Sequence, residues 1–324
     1  MIQPQSSRVV YMNGEYVNEE DAKISIFDSS LMFGDMVFEI TRTYNGKPFK
    51  LHEHLNRLYA GLKLLEIDPG MPIEEMENIT YKTIDANIET FHDGVDFQIM
   101  HNISRGPLDK YSHAFPNGLH PTVTINCWPL TWQLATYATL YEFGINAVIT
   151  PQKSVPARLI DPKIKNRSRI YYQVANQQAH RMNPDGWALL TDDDGFITEG
   201  TGANFFIVRD GSILTPKPYN ILRGITRQTV IDIASNNGMI CIEENIDKYD
   251  VSTADEAFFT STSFAIMPVT TFNGLPVNNG ENGPTVRTLQ RLFGDLVGKD
   301  IIEQAIECRN IVDMEEIQDW QDIH

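Results

Sequence analysis

The sequence predicts a mixed α/β or α+β protein of two domains. Three observations carry this. The chain has 324 residues and 42% apolar content, enough to bury more than one core. Strand-like and helix-like segments mix in both halves. Between the halves, residues 128–137 contain Pro129 and two tryptophans without a clear period, as a linker would. The expected organisation is a domain over 1–127, a linker over 128–137 and a domain over 138–324.

Residues 9–17, VVYMNGEYV, read as a hairpin turning at Asn13-Gly14, a pair that accepts left-handed backbone. A second hairpin is expected over 38–51, turning at Tyr44-Asn45-Gly46-Lys47. Leu51, Leu55, Leu58, Leu62 and Leu65 then recur at spacings of four and three, which makes one apolar helical stripe. Arg57 flanks that stripe. Residues 73–90 read as another helix, and 95–104 and 122–127 as strands. Beyond the linker, 145–151 reads as a strand and 170–181 as a helix. Segments 188–191 and 196–198 flank an Asp193-Asp194-Gly195 turn, and 204–214 is a hairpin about Asp210-Gly211. The helix over 226–237 stops at Gly238, a usual residue just past a helix end.

Composition narrows the function classes. A net charge of −17 and a pI near 4.8 disfavour nucleic acid and anionic membranes, because both are polyanions. The three cysteines, Cys127, Cys241 and Cys308, are far apart and show no disulfide framework or zinc spacing. No metal site is expected. The amino-terminal stretch 1–17 has no apolar core of signal-peptide type, and no run approaches a membrane span. A cytoplasmic protein is expected.

Five segments carry the chemistry: LHEHLNRL, DPKIKN, ITEGTGANFF, LRGITRQTV and FFTSTSFAIMPV. Each has an ordinary reading by itself. Lys165 alone is a solvated surface group, Glu199 an acid in a hairpin, and Thr226 a helix cap. Arg57 alone is a helix arginine lying along apolar surface. Together they are what a protein needs to hold pyridoxal phosphate. An enclosed lysine can lose its proton and form a Schiff base. A buried carboxylate keeps a pyridine nitrogen protonated, so the ring accepts the electrons of a broken Cα–H bond. The helix opening at Gly224-Ile225-Thr226 offers aligned N–H groups to a phosphate. Thr260-Ser261-Thr262-Ser263 adds a hydroxyl-rich turn, and Arg57 a full positive charge.

The ordered set resembles the class IV pyridoxal-phosphate aminotransferases, the fold-type-IV group. That group includes branched-chain and D-amino acid aminotransferases, R-selective amine transaminases and aminodeoxychorismate lyase. The resemblance runs from about Tyr11 to about Val277. Its specific signals are E-G-x-G-x-N-x-F at Glu199 to Phe206 and G-I-T-R at Gly224 to Arg227. The interval of 34 residues from Lys165 to Glu199 is similar to the family's.

The resemblance implies a small N-terminal α/β domain, a larger C-terminal domain around a barrel-like sheet, and at least a homodimer. It implies that Lys165 holds the cofactor and moves a proton, and that Glu199 binds the pyridine nitrogen. Arg57, Gly224, Ile225, Thr226 and Thr262 would hold the phosphate, with Leu222 against the ring. Ser263 and Phe264 match a turn that receives a substrate carboxylate. Phe33, Phe38, Gln98, Met100, Tyr111 and His113 fall where substrate is bound. The implied activity is a ping-pong transamination between an apolar amino acid and a 2-oxo acid. The alternatives are a D-amino acid or R-amine transaminase, or a lyase of the aminodeoxychorismate type.

The substrate positions depart from each subfamily. Tyr111-Ser112-His113 lacks the arginine of the D-amino acid enzymes. Gln98 and Met100 replace the tyrosine and arginine of the branched-chain ones. Ile170 stands where those have a tyrosine after the lysine. Arg42, Arg105, Arg167 and Arg169 are candidates for a replacement cation.

Overall fold

The computed structural model describes residues 8–91 and 95–312; the first seven residues of the stretch read for a leader lie outside them. The chain divides into two compact units. One is residues 1–130 with 164–168, the other 131–163 with 169–324. Lys165 thus belongs by contact to the first unit, although most of its sequence neighbours belong to the second.

The first unit contains β1 (Val9–Met12), β2 (Glu15–Asn18), α1 (Ser29–Phe33), β3 (Met36–Tyr44), β4 (Lys47–Pro48), α2 (Leu51–Leu64), α3 (Ile73–Asn87), β5 (Phe97–Ser104) and β6 (Thr122–Pro129). Its six-stranded sheet has the order β2-β1-β6-β5-β3-β4. Both expected hairpins are present. Asn13 and Gly14 take φ values of 50° and 99°, and Asn45 and Gly46 take 53° and 74°, as tight antiparallel turns require. The leucine stripe of α2 packs with Met76 of α3 against Val37, Ile99, Ile103 and Ile125 of the sheet.

Register decides which side chains share a face. Glu39 is opposite His101, Phe38 opposite Asn102, Ile40 opposite Met100 and Arg42 opposite Gln98. Alternation therefore puts Glu39 and His101 with Val37 and Ile99 on the helix-covered face. Phe38, Ile40, Met100 and Asn102 lie on the other. The segment 164–168 is tied to β3: the Phe38 N–H donates to the Lys165 carbonyl at 2.9 Å, and Asn166 bridges to Val37. Ile164 enters the same core.

The second unit contains α4 (Thr131–Phe143), β7 (Ile145–Ile149), α5 (Ile170–Met182), β8 (Gly186–Thr191), β9 (Ile197–Gly200), β10 (Asn204–Arg209), β11 (Ser212–Pro216), α6 (Ile225–Asn236), β12 (Cys241–Glu244), α7 (Lys248–Ser252), β13 (Glu256–Ser261), β14 (Ala265–Phe272), β15 (Leu275–Pro276), α8 (Pro284–Val297) and α9 (Ile301–Ile311). The strands run β12-β11-β10-β13-β14-β7-β8-β9, and β9 pairs back to β10. The sheet thereby closes into a pseudo-barrel. Glu199 and Asn204 are the residues that meet at the closure.

The stretch 128–137 is not an irregular linker. Trp128 and Pro129 finish β6, and Thr131 onward is the first half of α4. Leu134, Ala135, Ala138 and Tyr141 are its buried residues. They form a helical stripe that small and polar neighbours mask in the sequence. Pro129 is tolerated because it ends its strand. Cys127 and Cys241 are free thiols. Among the described residues, no helix is long and apolar enough to cross a membrane, and no His/Cys/Asp/Glu group could hold a metal ion.

Candidate active site

The first unit contributes Lys165, Arg57 and their surroundings. Lys165 is half-buried, and its Nζ lies 4.8 Å from the centroid of the Phe38 ring. The Arg167 guanidinium carbon lies 3.6 Å from the same centroid. Arg167 Nη2 also approaches Met100 Sδ at 3.1 Å and Asn102 Oδ1 at 3.4 Å. Phe38 and Met100, two expected pocket residues, are thus gathered about Lys165 and Arg167.

Arg57 is not an isolated cation. Its Nε and Nη2 donate to the two carboxylate oxygens of Glu39 at 2.6 and 2.8 Å. His54 Nδ1 meets Glu39 Oε2 at 2.8 Å. Glu39 is fully buried. Burial alone would raise its carboxyl, but the Arg57 charge and the bonds from His54 and Arg57 hold it well below the usual carboxylate range. His54 therefore donates its Nδ1 proton. The pair fixes the plane of the Arg57 guanidinium by its Nε–Nη2 edge. Sequence reasoning missed Glu39 and His54. The available signal was a lone acid in a strand buried on both faces.

The second unit contributes Glu199. It is 5% exposed and accepts three hydrogen bonds. The Tyr172 hydroxyl donates to Oε1 at 2.9 Å. The Leu222 N–H and the Asn204 side-chain amide donate to Oε2 at 3.0 and 3.2 Å. The Asn204 amide also donates to the Leu222 carbonyl at 2.9 Å. Burial, then the Glu199 charge, push the Tyr172 phenol well above its usual range, so it stays a donor. Tyr172, seven residues after Lys165, was not singled out in the sequence. Ile170, at the compared position, is 76% exposed.

Gly224 precedes α6 as its N-cap, with no side-chain cap, and Thr226 is the second helical residue rather than the cap. The reason for glycine is space: a Cβ there would fall 2.1 Å from Asn204 Oδ1. The turn from Thr262 to Phe264 joins β13 to β14. Ser263 Oγ lies 3.0 Å from Ser261 Oγ and accepts from the Tyr137 hydroxyl at 3.2 Å. The Phe264 N–H reaches Ser261 Oγ at 3.5 Å, and the Tyr141 hydroxyl donates to the Phe264 carbonyl.

The remaining expected pocket residues are placed differently. Phe33 ends α1 with 64% of its surface exposed, and its carbonyl accepts from Ser168 Oγ at 2.7 Å. Gln98 is buried, opposite Arg42. Tyr111 and His113 lie on a short 3-10 turn, where Tyr111 packs on Phe27 at 4.5 Å between centroids.

The pseudo-barrel and these residues define an enzyme of the pyridoxal-phosphate class. The model of the family described as "Amino-transferase class IV" matches residues 36–272, and the chain belongs to that family. A Methanocaldococcus jannaschii protein with a provisional branched-chain-amino-acid aminotransferase name is 36% identical over 288 residues, covering 89% of this chain and 96% of its own. The D-alanine aminotransferase of Listeria monocytogenes is 30% identical, over 88% of this chain and 94% of its own. Among solved structures, the branched-chain amino acid aminotransferase of Thermobaculum terrenum, in its pyridoxal-phosphate holo form, superimposes with a TM-score of 0.76. It is 25% identical and covers 94% of this chain and 97% of its own.

The protein is an aminotransferase acting on small amino and 2-oxo compounds, and its cofactor is pyridoxal 5'-phosphate. The residues present fit that group. Glu199 is a buried carboxylate with three donors, a half-buried lysine lies beside an aromatic ring, and a helix begins at a glycine with no side-chain cap.

Proposed function

We propose that the protein moves an amino group between an apolar α-amino acid and a 2-oxo acid by a ping-pong cycle. The observation that carries this is Glu199, buried and held by three donors. Donors aimed at a carboxylate favour its ionised form, and an ionised carboxylate at this place would keep a ring nitrogen protonated. When bound, pyridoxal phosphate supplies the carbonyl that takes the amino group, the ring that holds the Cα electrons, and the store between two half-reactions.

The chain's own residues do the rest. Lys165 holds the cofactor covalently and then moves the proton at the substrate Cα. Arg57, braced by Glu39, is the first unit's candidate for the phosphate, and Ile225, Thr226 and Thr262 are the second unit's candidates. Gly224 lets the helix start lie against Asn204. Leu222 packs on the ring. Ser263 and Phe264 line the substrate end of the second unit. Phe38 and Met100 give the first unit's pocket its apolar character, and Phe33, Gln98, Tyr111 and His113 are the further candidates for substrate contact. The apolar donor is supported by these side chains and by the branched-chain names of two relatives. Exposed Ile26, Leu31 and Phe33 on one segment support a homodimer. The free thiols of Cys127 and Cys241 support a cytoplasmic setting.

The D-alanine aminotransferase likeness supports a second reading, a donor of D configuration. One experiment separates the two. The holoenzyme should absorb at roughly 410–430 nm and bleach on addition of an amino donor. Bleaching by L-leucine but not its D enantiomer supports the first reading, and the reverse supports the second. Lys165→Ala protein that keeps the same absorption band would refute the role of Lys165.

A further inference from the structure

The start of α6 and the strand β13 meet around Asn204. Register places Asn204 of β10 directly opposite Thr260 of β13, with Phe206 opposite Phe258 two residues along. Alternation puts these four side chains on one face of the sheet. The Phe206 and Phe258 rings stack there, with centroids 4.7 Å apart. Phe205 and Phe259 pack on the other face, towards Trp187. Asn204 shows which face carries the start of α6. Its amide donates to the Leu222 carbonyl at 2.9 Å, and a Cβ on Gly224, the N-cap, would fall 2.1 Å from its Oδ1. Thr260 and the start of α6 therefore flank the same side chain.

The Thr260 side chain is costly where it stands. Thr260 is 1% exposed, and its Oγ1 is buried without a hydrogen-bond partner among the described residues. A buried hydroxyl left so lowers stability, and valine would fill the same place in the strand without that loss. Towards Glu256, the stacked phenylalanines offer it no acceptor. Across the strand pair, Asn204 turns its amide protons to Glu199 and to the Leu222 carbonyl. The opening of α6 on this face is itself a set of donors. The first N–H groups of a helix have no partner within it and lie at the positive end of its dipole. One acceptor can serve these N–H groups and the hydroxyl together, and that acceptor is an anion. A phosphate monoester suits the place, because several of its oxygens accept at once.

We propose that Thr260 is a further phosphate ligand of this enzyme: its hydroxyl donates to the phosphate of the bound cofactor at the start of α6. This rests on the reading of that helix start as the phosphate site. Thr260 lies within β13, ahead of the turn that holds Thr262. The phosphate thus draws a hydroxyl from the strand as well as from the turn.

The test compares the affinities of the apoprotein for pyridoxal phosphate and for pyridoxal, which lacks the phosphate, by fluorescence titration. Thr260→Val removes the hydroxyl and keeps the shape. Affinity for pyridoxal phosphate should fall roughly 10- to 100-fold, as for loss of a hydrogen bond to a charged group, while affinity for pyridoxal holds. Thr260→Ser should recover most of the loss. In urea titration, Thr260→Val apoprotein should be at least as stable as the wild type, because the change removes an unsatisfied hydroxyl. A merely structural threonine gives the opposite pattern, a destabilised valine variant with equal losses for the two ligands. That pattern, or wild-type affinity for pyridoxal phosphate in Thr260→Val, would overturn the proposal. Ile225→Pro tests the reading beneath it. Proline suits the first helical position and removes its N–H, and the extended backbone of Gly224, with φ −64° and ψ 136°, accepts a following proline. This variant should also lose affinity for pyridoxal phosphate more than for pyridoxal. If it does and Thr260→Val does not, the helix start keeps its phosphate and Thr260 is excluded. If neither variant does, the phosphate binds elsewhere and both readings fall.

Discussion

Glu199 and Asn204 face each other across the strand pairing that closes the pseudo-barrel, and the Asn204 amide donates to that carboxylate at 3.2 Å while holding the Leu222 carbonyl at 2.9 Å. One side chain thus couples barrel closure to the position of the acid and of the residue proposed to pack on the ring. Asn204→Ala removes both bonds and leaves two buried acceptors short of a donor. The expected cost is roughly 2–4 kcal/mol of stability in denaturant titration. Asn204→Asp should cost more, because it sets a second carboxylate against Glu199. Both variants should retain pyridoxal phosphate less well on dialysis, read by absorbance. Wild-type stability and retention in Asn204→Ala would show that the closure does not depend on this side chain.

Gly224 is the neighbour that this arrangement tolerates. Its φ of −64° suits any residue, so the constraint is steric and not conformational. A Cβ would fall 2.1 Å from Asn204 Oδ1 and 3.2 Å from Arg227 Cβ. Gly224→Ala should therefore displace Asn204 and destabilise by about 1–3 kcal/mol. Cofactor affinity should drop with it, as fluorescence titration of the apoprotein would reveal. An alanine variant with unchanged affinity would mean that Asn204 turns aside without disturbing Glu199.

Glu39 makes the corresponding prediction in the first unit. Its carboxylate takes the bidentate edge of Arg57 and the Nδ1 proton of His54 in a site without exposure. Removing one partner of a buried pair leaves the other's charge uncompensated, which costs about 3–5 kcal/mol. Glu39→Gln should lose this much in urea titration. Affinity for pyridoxal phosphate should fall further than affinity for pyridoxal, because the damage lies at Arg57. Equal losses for the two ligands would assign Glu39 to stability alone.

Much of this was legible in the sequence, for identifiable reasons. The leucine stripe of α2 is amphipathic, so periodicity found it. Asn13-Gly14, Asn45-Gly46 and Asp210-Gly211 all take left-handed backbone, which those pairs signal. Lys165, Glu199 and Gly224 were marked by their motifs. What stayed hidden lacked a polarity contrast. β3 is buried on both faces, so its pattern could not show that Glu39 points into the helix-covered core or that it meets Arg57. α4 buries alanines among threonines and aromatics, so its stripe is faint. Tyr172 carries no motif of its own in the sequence, and only the geometry of α5 turns its hydroxyl onto Glu199. The candidate arginines differ only in their partners, which a sequence does not list.

Acid should destabilise the first unit before its carboxylates titrate. The Thr80 hydroxyl gives its proton to the Met76 carbonyl at 2.7 Å, so at 2.8 Å it accepts from His101 Nε2. His101 Nδ1 is then a buried lone pair with no hydrogen-bond partner among the described residues. Burial pushes the pKa of His101 down from 6.5 to about 4 and lowers that of His54, against the opposing pull of Glu39. Both imidazoles are neutral when folded but charge in the unfolded chain below its own pKa. The unfolded state therefore binds more protons as pH falls from about 6.5 towards 4, and stability declines through that window. For His101 the decline should reach roughly 2 kcal/mol between pH 7 and pH 5. Glu39 adds its own loss only at lower pH, because its folded carboxyl lies below the usual range. His101→Gln keeps a donor for Thr80 and cannot titrate. Urea unfolding followed from pH 7 to pH 5 should show a shallower decline in this variant than in the wild type. Equal slopes would mean that His101 is already protonated, or reached by solvent, in the folded protein.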